Sequence, residues 1–149
     1  MLLMDPLDQR IVSQLVADAR ASYSEIGKTV GLSAPAVKRR VDKLLDLGIL
    51  RGFTAVVDPE ALGWGTEAFV EVHCHGNVPT QRIRAGIEPL PEVVGAYTVS
   101  GPADAIVHLR AANMQHLETA LERLRDVEFI NRTVSTVVLS RLLDRPPQT

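Results

Sequence analysis

The sequence predicts an α+β protein: an N-terminal helix-turn-helix, winged-helix-like domain followed by a ferredoxin-like βαββαβ domain. Three observations carry this. Apolar residues recur at helical spacing up to Leu45, the pattern turns to alternation after Gly48, and the later segments run strand, helix, strand, strand, helix, strand. The implied division is residues 1–52 for the helical domain, 53–65 for a linker strand and 66–149 for the ferredoxin-like domain.

Leu7, Ile11 and Leu15 define a first amphipathic helix from about Pro6 to Ala19. Ser22 and Glu25 have capping-box spacing, so a second, short helix starts there and ends at Val30-Gly31-Leu32, where Gly31 can adopt the left-handed conformation of a tight turn. A third helix begins at Ser33, a good N-cap, with Pro35 in its first turn. Its buried stripe is Val37, Val41, Leu44 and Leu45, which leaves Ala34, Pro35, Lys38, Arg39 and Asp42 facing mostly outward. Two helices joined by a glycine turn and packed on a first helix make a helix-turn-helix.

A cationic run is often only a solvated face, but the charge distribution points to nucleic acid. All three lysines lie in residues 1–52, where eight Lys plus Arg face six acids, a balance of +2. The remaining residues hold eight Arg against twelve acids, a balance of −4, and the two sum to the net −2. Positive charge therefore gathers where a phosphate backbone would lie. The candidate DNA-contacting residues are Ser33, Ala34, Pro35, Lys38, Arg39, Arg40 and Lys43.

Ile49 to Val57 is rich in β-branched and aromatic residues and closes at Asp58-Pro59, the pattern of an extended linker strand. From Glu67 the alternation puts Ala68, Val70, Val72 and Cys74 on one face and Glu67, Phe69, Glu71, His73 and His75 on the other. A helix follows over Thr80 to Glu88 with Ile83 and Ile87 inward and Pro89 as its stop. Strands at Val93 to Val99 and Ala103 to Arg110 are joined through Gly101-Pro102-Ala103-Asp104, where proline suits the second position of a type I turn. Asn113 caps a helix whose Met114, Leu117, Leu121 and Leu124 share a face, and Val127 to Leu143 supplies the last strand.

In this plan both helices cover one face of the sheet. The last strand nonetheless offers Val134 and Val138 on one side and Val137 and Leu139 on the other, so a second copy of the sheet is the simplest cover and a homodimer is expected. Such a dimer suits a palindromic operator on double-stranded DNA, with half-sites about 34 Å apart.

The 149 residues, 46% of them hydrophobic, suffice for a proper core and exclude a disordered tail. One cysteine, Cys74, excludes an internal disulfide and suggests a reducing, cytoplasmic setting, and its inward face makes it an inert thiol. The first residues lack a basic signal region and no apolar run nears about 18 residues, so neither secretion nor a membrane span is expected. His73 and His75 share a strand face but lack a third ligand, and there is no zinc spacing or phosphate-cradling loop; no metal and no cofactor are expected.

Taken together, the landmarks resemble the Lrp/AsnC family of bacterial and archaeal transcription regulators. They are Leu7-Asp8, Gly31-Leu32-Ser33, Arg39-Arg40-Val41, Leu47-Gly48-Ile49-Leu50, Asp58-Pro59 with Leu62-Gly63, Pro91-Glu92-Val93, Ser100-Gly101 to Asp104, and Thr133 through Leu139. The resemblance spans nearly the whole chain. It implies DNA-binding dimers that assemble further, commonly into octamers, and a small effector, usually an amino acid, held where dimers meet. The expected effector residues are Ser100, Gly101, Pro102, Ala103 and Asp104, with Thr133, Ser135 and Thr136 on the last strand, Asp104 pairing a ligand ammonium. One departure stands out: Pro102, Ala103 and Ala105 occupy positions where the family usually has polar or aromatic groups, and Pro102 offers no amide donor. Two alternatives share the architecture. A siroheme-decarboxylase-like enzyme would call for an Arg-Arg-Phe-Gly-Ala type segment where this chain has Leu50-Arg51-Gly52-Phe53-Thr54-Ala55. A metabolite-sensing module without DNA binding would call for a recognition helix that has lost its basic residues.

Overall fold

The computed structural model describes residues 4–143. They form two compact units, one holding the residues through Val56 and the other Val57–Leu142. In the first, three helices are set by their caps: α1 (Pro6–Ala17), α2 (Tyr23–Val30) and α3 (Ala34–Asp46). The Asp5 carboxylate accepts the Asp8 amide at 2.8 Å to start α1. Ser22 and Glu25 form the full capping box of α2. Ser33 caps α3 through the Ala36 amide. Gly31 ends α2 at φ 77°, and a Cβ on Gly27 would lie 2.4 Å from the Leu32 carbonyl oxygen. The tight approach of α2 to the turn therefore needs glycine at position 27 and the sharp reversal needs it at 31.

Ile11, Leu15, Ile26, Val30, Val37 and Val41 make the core of this unit, with Leu45 and Leu50 packed at its margin. At roughly 1.5–3 kcal/mol for each large apolar side chain removed from water, this small core can hold three short helices that would be marginal alone. The expected linker strand is not a strand in this chain. Residues 51–58 carry no regular structure and Val56 is fully exposed, because β-branched composition alone makes no ladder without an edge to pair with. A single 3-10 turn, Glu60–Leu62, follows.

The second unit contains β1 (Thr66–Cys74), α4 (Thr80–Ile87), β2 (Val93–Thr98), β3 (Ala105–Ala111), α5 (Met114–Arg125) and β4 (Ile130–Val137). Its antiparallel sheet has the order β2-β3-β1-β4, the ferredoxin-like arrangement. Ala68, Val70 and Val72 face the helices and pack with Val107, Leu109, Ile83, Ile87, Leu117 and Leu124. Met114 departs from expectation at 59% exposed: it opens the helix, and inward contact runs from Leu117 through Ala120 to Leu124. The last strand stops at Val137, with one further ladder bond from the Val138 amide to Glu67, so Leu139 lies beyond the sheet.

The opposite face of the sheet is mixed. Register places Phe69, Ile106 and Val134 on it among Glu67, Glu71, His73, His108, Arg110 and Arg132. Phe69 stacks on His108, ring centroids 4.5 Å apart. Glu67 binds His108 on one side and Arg141 at 3.0 Å on the other. Burial pushes the Glu67 carboxyl up, but the hydrogen bonds from Arg141 and His108 outweigh it and hold the group below the usual range.

Candidate nucleic-acid interface and effector cavity

Helix α3 turns about 100° per residue, which puts Arg39 directly opposite the buried Val37, Val41 and Leu44. Arg39 and Lys43 are exposed, with no acidic partner among the described residues. Pro35 is exposed beside them, Ala34 is half-buried, and the Ser33 hydroxyl is taken up by its capping bond to the Ala36 amide at 3.4 Å. Lys38 reaches along the helix to Asp42 at 2.6 Å, both side chains largely in solvent, and this hydrogen bond raises the Lys38 pKa. An exposed i,i+4 pair is easily exchanged for a phosphate.

Arg40 behaves differently from its neighbours. Its guanidinium donates to Asp5 at 2.6 Å and to Asp8 at 2.7 Å, fastening α3 to the start of α1. The Arg40 bond, with the Asp8 amide, keeps the Asp5 carboxyl below its ordinary range. Sequence grouped Arg40 with Lys38 and Arg39 as one run, yet its helical angle turns it toward α1. The long-range partner, Asp8, is itself buried and carried no sequence signal beyond a position near a helix start.

The loop between β2 and β3 is longer than the expected turn. Thr98 pairs with Ala105, leaving residues 99–104 as a six-residue excursion whose 101–104 stretch bends without a hydrogen-bonded turn. With Glu71 of β1 and Ile106 of β3, the loop from Thr98 to Ala103 lines a cavity of about 560 Å³. Ser100, Gly101, Pro102 and Ala103 are thus brought together. Asp104 is not among the lining residues: its carboxylate accepts the Cys74 amide at 2.7 Å while its own amide donates to the Val72 carbonyl at 2.9 Å. It ties the loop to the end of β1. Burial first, then the charge and hydrogen bonding of Asp104, push the Cys74 thiol up, which suppresses the reactive thiolate.

The hydroxyls on the last strand also lie apart from this cavity. Thr133 and Ser135 pair with Val72 and Val70 and so share the helix-covered side, where Thr133 accepts from Arg125 Nε at 3.1 Å. Thr136 is on the other face but pairs with Phe69, and β1 separates all three from β3. The sequence reading set these hydroxyls beside the loop, but a strand's own sequence cannot tell which edge of a sheet it joins. Glu71 went unnoticed for the same reason; its parity placed it on the outer face, but only strand order places it beside the loop. The two histidines separate too: His73 lies 3.5 Å from Glu71 and 3.4 Å from Arg132, while His75 falls beyond the end of β1. No group of three metal-binding side chains occurs among the described residues, and none of their helices is long and apolar enough to cross a membrane.

Comparison with known proteins gives the same two halves. Residues 4–45 match the AsnC-type helix-turn-helix domain and residues 67–148 the Lrp/AsnC ligand binding domain. The chain is 54% identical to HTH-type transcriptional regulator Rv2324 of Mycobacterium tuberculosis, covering 97% of each. Among solved structures it resembles the feast or famine regulatory protein of M. tuberculosis complexed with L-methionine, at 33% identity, TM-score 0.88 and 97% of each chain. It also resembles E. coli AsnC, at 27% identity and TM-score 0.89, covering 97% of this chain and 98% of that one. The chain therefore belongs to the Lrp/AsnC family of helix-turn-helix transcriptional regulators.

Proposed function

We infer that this protein is a cytoplasmic regulator that binds a palindromic operator in double-stranded DNA as a homodimer, or a higher assembly of dimers, and responds to an amino acid or similar small metabolite. The observation that carries the DNA reading is Arg39, exposed on the side of α3 opposite its buried stripe, on a helix with a serine cap and an early proline. A guanidinium there can reach a guanine edge bidentately, with Lys38 and Lys43 set to meet phosphates. Arg40 serves the same surface indirectly, by fixing α3 against α1.

The effector reading is supported by the cavity at Thr98 to Ala103 and by the L-methionine complex of the relative described above. Dimerisation is supported by Phe69, Val134 and Ile106, large apolar groups on a sheet face that neither helix covers. Genomic DNA captured by the full-length protein, followed by gel shifts on the enriched sequences, tests the reading. Enrichment of a two-fold symmetric site is the expected result; capture with no sequence preference would overturn it.

A further inference from the structure

We propose that Pro35 reads a pyrimidine C5-methyl group in the major groove, so that each half-site carries a thymine, or a 5-methylcytosine, within two base steps of the guanine met by Arg39. This deepens the DNA reading above and rests on it. On α3 the two residues are four apart, which turns them only about 40° from one another and separates them by about 6 Å along the axis. Both side chains are exposed, and both lie on the side away from Val37, Val41 and Leu44. At about 3.4 Å per base step, this separation is close to two steps, so a helix lying in the groove sets both residues against base edges at once.

The chemistry of the first turn of α3 selects the methyl group. Ala34, Pro35 and Ala36 have no polar side-chain atom, and the turn holds no acid. Pro35 has no N–H, and the Ala36 N–H is taken by the Ser33 hydroxyl at 3.4 Å, so that hydroxyl and that amide serve the cap. The exposed ring of Pro35 can donate nothing to a base or a phosphate. The apolar group that a major-groove edge presents is the C5-methyl of thymine, which 5-methylcytosine reproduces. An unmethylated cytosine or a purine beneath the ring loses hydrogen bonds to water on its edge and gains none, so the contact rejects as well as attracts. The ring is also rigid, so covering it costs little conformational freedom.

The test uses the full-length chain and an operator selected from a randomised pool. In synthetic duplexes each thymine is replaced singly by uracil, which lacks only the methyl group, and gel shifts compare wild type, Pro35→Ser and Arg39→Ala. Arg39→Ala marks the guanine as the position whose preference it relaxes. Within two steps of that guanine, one uracil in each half-site should weaken wild-type binding about three- to fivefold, the worth of one buried methyl group. Pro35→Ser should bind the thymine and uracil duplexes equally. At the same position 5-methylcytosine should bind wild type better than cytosine does, which separates the methyl group from the other features of thymine. No uracil penalty in that range, or a penalty of equal size in Pro35→Ser, overturns the assignment while leaving sequence-specific binding in place. Should Pro35→Ser fail to fold, the cytosine pair decides, and equal wild-type affinity for 5-methylcytosine and cytosine overturns the assignment. If the pool yields no preferred sequence, the DNA reading falls and this assignment falls with it.

Discussion

Arg40 donates to the Asp8 carboxylate at 2.7 Å across the α1–α3 contact, and Asp8 is only 3% exposed. The pair ties the basic run to the scaffold through Arg40, while the residue before it, Arg39, stays exposed. Arg40→Ala leaves the Asp8 carboxylate without its charged donor, a loss of about 1–3 kcal/mol for a buried acceptor. Urea unfolding followed by circular dichroism should show that loss. The same variant at saturating folded fraction should bind operator better than Arg39→Ala does; equal unfolding midpoints for Arg40→Ala and wild type would contradict the structural role.

Arg39→Ala should leave the unfolding midpoint unchanged, because the side chain is exposed and has no hydrogen-bond or ion-pair partner among the described residues. Losing a bidentate base contact costs roughly 1–3 kcal/mol of binding and relaxes preference at one position of each half-site. Lys43→Ala and Lys38→Ala should instead weaken binding on all sequences and each reduce the salt slope by about one. Selection of operators from a randomised pool separates the two behaviours. Unchanged affinity and specificity in Arg39→Ala would remove this helix from the interface.

How much of this was legible in the sequence depended on the range of the interaction. Caps are local, so Ser22, Glu25, Ser33 and Asn113 announced their helices and all four are used. Burial follows periodicity, so Ala68, Val70 and Val72 were assigned to the core face, where they lie. The fate of Arg40 depended on a partner 32 residues away, and the composition of the cavity depended on β1 lying between β3 and β4. Parity along one strand cannot supply either fact. The linker failed in another way: its β-branched residues have strand propensity, but an extended segment becomes a strand only when something pairs with it.

The outer sheet face makes a further prediction. Phe69 is 42% exposed and Val134 is 42% exposed, two residues apart in register across β1 and β4 and so on the same face. If a second copy covers them, Phe69→Asp or Val134→Asp places an unpaired charge in that contact and should shift the protein toward monomer. Operator affinity should fall with it, since the second half-site contact is no longer intramolecular. Light scattering at micromolar concentration reads the outcome; dimers persisting in both variants would mean that another surface joins the copies.

Acid sensitivity should centre on Glu92. Its carboxylate is buried beside β2 and accepts from His116 Nε2 at 2.8 Å and from Arg123. His116 Nδ1 accepts the Ala112 amide, so Nε2 carries the proton donated to Glu92. Burial pushes the Glu92 carboxyl up, but the hydrogen bonds from His116, its own backbone amide and Arg123 together outweigh burial and leave it below the ordinary value. A carboxyl with a lower pKa in the folded state than in the unfolded chain contributes stability in full above the unfolded value, about 4.3 for glutamate, and loses it as pH falls through the folded value. Melting temperature should therefore drop on acidification below that point. Glu92→Gln keeps an oxygen for His116 but removes the charge that Arg123 meets, so it should melt lower than wild type at neutral pH and show a shallower acid slope. The slope that remains belongs in part to Glu67, held low by Arg141 and His108 against its own burial. Parallel acid profiles for Glu92→Gln and wild type would show that the Glu92 cluster does not govern the transition.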